Sequence, residues 1–179
     1  MKFVQPIRSR DDIQAMKDAL ARHGSRDKLL FDLGINTGLR ISDIIALRVG
    51  DVRNREFVTI KEQKTGKPRR VRLTAVMGEI AAFIRGMDDS RYLFESRKGN
   101  EAITRVQAYR ILNKAAKECG LEEIGTHTLR KTFGYHHYQQ YHDVAMLQRI
   151  FNHSSPSITL RYIGIEQDQI DEATADFAL

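Results

Sequence analysis

The sequence predicts an α+β protein, mainly helical, built around one small antiparallel sheet. Apolar residues recur at helical spacing through most of the 179 residues. Strict alternation replaces that period only between Asp51 and Leu73. Helix start and stop signals punctuate the rest. A hydrophobic content of 41% and a charged content of 29% fit a folded globular chain rather than a disordered or membrane-embedded one. At this length a single domain over residues 1–179 is expected.

Ser9 with Asp12 reads as a capping box for a helix running to about Arg22. Ser25 is the expected cap of a second helix, with Leu29, Leu30 and Leu33 at helical spacing. Thr37, Gly38 and Leu39 interrupt it, and Ile41, Ile44, Ile45 and Leu47 mark a third helix that Gly50 should stop. FVTIKEQ and RRVRL read as strands joined at KTGKP, and Val71 and Leu73 alternate with Arg70 and Arg72. Helices are then expected from Thr74 to about Arg85, from Thr104 to Gly120, from Thr126, and from Asp143. Ser155 ahead of Pro156 is a strong start for the helix bearing Tyr162. A tail helix is expected from about Asp168, with Ile170, Ala173 and Phe177 on one side.

The net charge is +6 and the pI near 9.5, which favours a polyanionic partner without identifying it. From Ile165 onward there are five acids and no Lys or Arg, so the preceding body is more positive still. Cys119 is the only cysteine, which excludes an internal disulfide and suits a reducing compartment. No leader-like segment opens the chain and no apolar run reaches membrane-spanning length. The expectation is therefore a cytoplasmic protein.

GTHTLRKTF, residues 125–133, is the most informative stretch. His127 and Arg130 fall three apart on a first helical turn, where free backbone N–H groups and the helix dipole favour an anion. A solvated helix start would carry the same letters. Arg40 follows a Thr-Gly break, and Asp43 three residues on could orient its guanidinium or simply complement the dipole. Lys64 tips the hairpin inside a basic run of Lys61, Lys67, Arg69, Arg70 and Arg72. Most of these read as nonspecific phosphate contacts, although a flexible lysine there can also deliver a proton. His136, His137 and His142 have no metal-ligand spacing, so no metal is expected. His23 reads as surface, and Tyr135, Tyr138 and Tyr141 as a packing stripe.

In this order, TGLRISDIIALRVGDV, QKTGKPRRVRL, HTLRKTF and NHSSPSITLRY resemble the catalytic domain of the tyrosine recombinases, the phage integrase family. The resemblance runs from about Pro6 to Gly164. It implies a mainly α, α+β catalytic domain with a small three-stranded antiparallel sheet. It also implies a catalytic set of Arg40, Lys64, His127, Arg130, His153 and Tyr162, with Tyr162 as nucleophile and no cofactor. Asp43 would support the set from behind. Lys61, Lys67, Arg69, Arg70, Arg72 and Lys131 would contact double-stranded DNA.

The implied reaction is DNA integration or excision for a mobile element, through a 3′-phosphotyrosyl link. The implied assembly is a homotetramer on DNA and a monomer when free, working at the bacterial nucleoid. Phe151-Asn152 stands where the family commonly has Leu-Gly, and Lys131 where a second histidine is common. Altered packing, not lost activity, is expected from both. The chain begins where the catalytic domain begins, so the usual core-binding domain is expected to be absent. The acidic tail, residues 165–179, is expected to dock on a neighbouring protomer. Two rival readings are a type IB topoisomerase-like nickase and a non-catalytic DNA-binding module.

Overall fold

A computed structural model of the chain describes residues 4–64, 66–166, 172 and 175. Helix α1 (Arg10–His23) starts at Ser9, whose Oγ accepts from the Asp11 and Asp12 amides at 3.2 Å each. Helix α2 (Ser25–Thr37) follows after a single residue. Gly24, at φ 139°, occupies the cap, so Ser25 is the first helical residue and not the cap expected from sequence. Gly38 ends α2 in the left-handed region, and a Cβ there would meet the Phe133 ring at 2.5 Å.

The expected third helix is broken in two: α3 (Ile41–Ile45) and α4 (Val49–Val52). Gly50 does not stop a helix. It lies inside α4, where it approaches Asp89 closely enough that a Cβ would sit 3.1 Å from the Asp89 side chain.

Strands β1 (Phe57–Lys61) and β2 (Pro68–Arg72) pair antiparallel, with Val58 opposite Val71 and Ile60 opposite Arg69. The sheet has two strands among the described residues, not the three expected. Elsewhere among the described residues only single bridges form, Arg48 with Tyr92 and Glu95 with Ala102. The first cannot extend, because α4 begins at Val49 and turns the backbone away.

A 3-10 turn (Thr74–Val76) leads into α5 (Met77–Phe83). Helix α6 (Arg105–Glu118) opens on the expected Thr104–Gln107 capping box. Helix α7 (Thr126–Tyr141) is capped by Gly125, with the Gly125 amide donating to Thr128 Oγ1; Thr126 is already helical. Asp143 caps α8 (Val144–Phe151) through the Met146 amide, and Ser155 caps α9 (Pro156–Ile163) through the Ile158 amide. The expected tail helix lies outside the described residues. Of the tail, Ile165 is buried in the domain's own packing and Glu166 pairs with Arg161.

Two apolar clusters result among the described residues. The larger gathers side chains from every element up to Leu129 of α7. The smaller centres on Leu147, Phe151, Ile163 and Ile165, with Phe133, Tyr135 and Tyr138 against it. Tyr141, the third member of the expected stripe, is 59% exposed, because threefold spacing drifts off one helical face within two turns. His23 is tucked against Glu118 at 2.8 Å, not free on the surface.

Candidate active site

Arg40, Ile41, Ser42, Gln63, Lys64, Arg105, Thr126, His127 and Arg130 line one open cavity of about 580 Å³. Arg40 caps α3 just after the left-handed Gly38, so backbone geometry fixes where its side chain leaves the chain. Asp43 does not hold it. Asp43 is buried, and its Oδ1 accepts from the Gln63 amide at 2.9 Å, tying the hairpin to α3. The partner of Arg40 is Glu62, with Nη1 and Oε2 2.8 Å apart.

Arg130 is 3% exposed. Its Nη1 donates to Gly38 O at 2.6 Å and its Nη2 to Phe151 O at 2.9 Å, while its guanidinium lies 4.4 Å from the Phe151 ring centre. It therefore bolts the turn before Arg40 to the turn before His153. Burial pulls its pKa down to about 10, with the Tyr162 hydroxyl acting the other way.

Tyr162 sits on α9 between the Phe151 and His153 rings, at 5.5 and 5.2 Å centre to centre and edge-on to both. Its Oη is 3.4 Å from His127 Nδ1. Burial raises the Tyr162 pKa, and Arg130 and Arg40 oppose that rise. His153 Nδ1 meets Thr159 Oγ1 at 3.0 Å, which sets the imidazole plane. His127 and His153 both have pKa values below the ordinary histidine range, first from burial and then from neighbouring cations, so both are neutral at pH 7.

Lys64 reaches the cavity, as expected of a hairpin tip. Lys61, Lys67, Arg70 and Arg72 are exposed around it, and Arg70 and Arg72 lie over the Phe57 ring at 3.8 and 4.7 Å. Two expected DNA contacts are turned inward instead. Arg69 reaches Glu62 Oε1 at 3.4 Å and donates to Thr37 O at 3.2 Å. Lys131 is 6% exposed, donates to Val4 O at 2.8 Å, and holds its ammonium 5.3 Å from the Tyr162 ring centre.

Sequence reasoning missed Glu62, Arg105 and Thr159. Strand parity pointed to the first: Val58, Ile60 and Glu62 share a face, as do Arg69, Val71 and Leu73. The Thr104 cap pointed to the second, since it puts Arg105 at the open end of α6. Thr159, fully buried, lies three residues before Tyr162 on α9.

Among the described residues no group of three or more His, Cys, Asp or Glu comes together, and no helix is long and apolar enough to cross a membrane.

The family model described as the Phage integrase family matches residues 9–168. The chain is 54% identical over 169 residues to the "Probable integrase/recombinase YoeC" of Bacillus subtilis, covering 94% of this chain and 93% of that one. It is 29% identical over 168 residues to the "Tyrosine recombinase XerA" of Pyrococcus furiosus, covering 91% of this chain but 58% of the relative, so it spans little more than half of that longer protein. Among solved structures, a XerA recombinase superposes with a TM-score of 0.76 at 20% identity, over 96% of this chain and 65% of the other. A lambda integrase tetramer bound to a Holliday junction gives 0.69 at 17% identity, over 90% of this chain and 49% of the other. These two establish the fold, and the match over residues 9–168 establishes the family. The chain belongs to the phage integrase family of tyrosine-type site-specific recombinases.

Proposed function

We propose that this chain cleaves and rejoins DNA strands without a metal or cofactor, through a phosphodiester bond between Tyr162 and a 3′-phosphate. The observation that carries the reading is the Tyr162 hydroxyl 3.4 Å from a neutral His127 Nδ1, beside the cavity lined by Arg40, Lys64 and Arg130. In the forward step Tyr162 Oη bonds to phosphorus, the bond to the 5′-oxygen breaks, and the phenolic proton passes to His127. Lys64 protonates the departing oxygen. Rejoining is the reverse, and the phosphoester energy is retained in the protein–DNA link.

Ionising an ordinary tyrosine at pH 7 costs about 4 kcal/mol, and burial increases that cost here. Proton transfer concerted with attack avoids a free phenolate. Arg40 and Arg130 take the two non-bridging oxygens, where charge accumulates in the transition state. Arg130 spends two of its five N–H donors on backbone carbonyls, leaving others for phosphate. His153, oriented by Thr159, donates through its other ring nitrogen in the tautomer whose Nδ1 accepts from the Thr159 hydroxyl.

Duplex DNA is the substrate, and Lys61, Lys67, Arg70, Arg72 and Arg105 contact its backbone outside the reacting phosphate. A separate groove is also cationic, lined by Arg97, Lys98, Arg110 and Lys114. The biological role is integration or excision of a mobile element, carried out by a tetramer on DNA that is monomeric when free. The lambda integrase tetramer on a Holliday junction, of the same fold, supports that assembly.

The test is an SDS-stable protein–DNA adduct on nicked suicide duplexes drawn from sequence flanking the gene. Wild type should form the adduct and Tyr162→Phe should not. An adduct that persists in Tyr162→Phe would move the nucleophile elsewhere. Duplex affinity should fall steeply between low and moderate salt, as counterion release over several phosphates requires. Salt-independent binding would contradict the proposed contact surface.

A further inference from the structure

Two cations beside the site, Arg40 and Arg69, face one buried carboxylate that the proposed chemistry does not use. Glu62 is 3% exposed and stands one residue past the end of β1. Its Oε2 lies 2.8 Å from Arg40 Nη1 and its Oε1 3.4 Å from Arg69 Nη1. Arg69 is itself fixed by Thr37 O, one residue before the Gly38 carbonyl that holds Arg130. The backbone of Glu62 closes the hairpin turn: its amide donates to Lys67 O at 3.0 Å, and its carbonyl accepts from the Gly66 amide at 2.8 Å. Lys64 lies inside that closed turn.

A carboxylate enclosed in this way is poor evidence for stability, because desolvating three ions offsets most of their attraction. Its value lies in geometry. The Arg40 contact is a close ion pair without hydrogen-bond alignment, so Glu62 fixes where the Arg40 charge sits and leaves its N–H groups for another acceptor. Cations that must grip a phosphate also repel one another, and a buried anion between Arg40 and Arg69 relieves that repulsion before DNA arrives.

We infer that Glu62 is a positioning residue for strand cleavage: its side chain aims the Arg40 guanidinium at the phosphate while its backbone frames the turn that presents Lys64. The inference rests on the reading of Tyr162 and Arg40 given above. Glu62 is buried behind Arg40 and Arg69, so its side chain acts through Arg40.

The experiment is single-turnover adduct formation on the suicide duplex at saturating protein, for wild type, Glu62→Gln, Arg40→Ala and the double variant. Glu62→Gln should slow cleavage about 10- to 100-fold, the scale of a misaligned catalytic group. Duplex affinity, measured with Tyr162→Phe present, should change by less than about threefold. In the Arg40→Ala background, Glu62→Gln should add no more than about a further twofold, because the pair acts as one unit. A loss of the same size with and without Arg40 would mean general structural damage and overturn the inference, as would a Glu62→Gln protein that cleaves at the wild-type rate.

If Glu62→Gln folds too poorly to assay, Glu62→Asp retains the charge and withdraws it by one methylene. It should show a smaller loss with the same dependence on Arg40, and a loss independent of Arg40 would again overturn the inference. Tyr162→Phe alone separates the two ideas. An adduct that persists there refutes the nucleophile, whereas a full-rate Glu62→Gln refutes only the role of Glu62.

Discussion

The two apolar clusters are built differently, and the site lies across their seam. The larger packs aliphatic chains such as Leu20, Leu30, Leu33, Ile44 and Leu112 to complete burial, and it supports Arg40 and the hairpin. The smaller has four buried members, is half aromatic, and supports His153 and Tyr162. Helix α7 divides them, with Leu129 facing one way and Gly134 the other. The elements that would grip phosphate stand on deep, close-packed support, where displacement is costly. The helix of Tyr162, the proposed nucleophile, stands on a thinner layer of mixed rings and aliphatic chains that can shift at less cost. Arg130 joins the two by donating to Gly38 O on one side and Phe151 O on the other.

A pair of glycines offers the largest way to break this contrast. A Cβ on Gly34 would fall 2.5 Å from Leu129 Cδ1, inside the larger cluster. One on Gly134 would fall 2.7 Å from both Ile163 and Phe151, inside the smaller. Either alanine overpacks a buried contact and should cost about 1–3 kcal/mol in chemical denaturation. Their activities should diverge. Gly134→Ala pushes on α9 and should slow adduct formation more than about tenfold, whereas Gly34→Ala should lose less than that for equal destabilisation. Equal losses would mean that the clusters move together.

A second, smaller contrast is pH. His127, His137 and His153 all belong to the α7–α9 half, and burial lowers the pKa of each. Their folded values lie below the unfolded one, so the native state binds these protons less readily than the unfolded chain. Stability is therefore full above the unfolded histidine pKa, near 6.5, and declines as pH falls through it toward the folded values. Tm should drop between pH 7.5 and pH 5, and the drop should shrink in His137→Phe, whose Nδ1 is buried without a hydrogen-bond partner. Adduct formation should decline over the same acid range as His127 gains a proton and can no longer accept one. A Tm that does not change with pH would place these rings in water.

Much of this organisation was legible in sequence because it is local. The caps at Thr104, Asp143 and Ser155 each act within three residues and form as read, while Ser9 caps α1 through its own Oγ without the reciprocal Asp12 bond of the expected box. The hairpin follows from alternation and a Gly-Pro turn. What escaped was parity carried one step too short. The pattern that turns Val71 and Leu73 inward also turns Arg69 inward, and that of Val58 and Ile60 does the same for Glu62. A count of positive charges conceals both. Lys131 could not have been placed from its neighbours, because its acceptor, Val4 O, is 127 residues away. The third strand was expected from resemblance rather than from any alternating run, and among the described residues none pairs with the hairpin.

Asn152 gives the smallest effect and the sharpest comparison. It ends α8 in the left-handed region, at φ 54° and ψ 46°, with its amide shared between Arg149 O and Gln148 O. The next amide, that of His153, also returns to Gln148 O, and Gln148 Nε2 donates to His153 O. The turn therefore aims the imidazole, and it requires a residue that tolerates positive φ. Asparagine does so at modest cost and glycine at none, whereas a Cβ without a local hydrogen bond costs about 1 kcal/mol. Asn152→Gly should be neutral within a few tenths of a kcal/mol, its relaxed backbone offset by a more flexible unfolded chain. Asn152→Ala should lose about 1 kcal/mol and slow adduct formation, since relaxing the strain rotates His153 away from Tyr162. If Asn152→Ala loses that stability yet cleaves at full rate, the smaller cluster holds His153 without help from the turn, and the seam is stiffer than its thinner support implies.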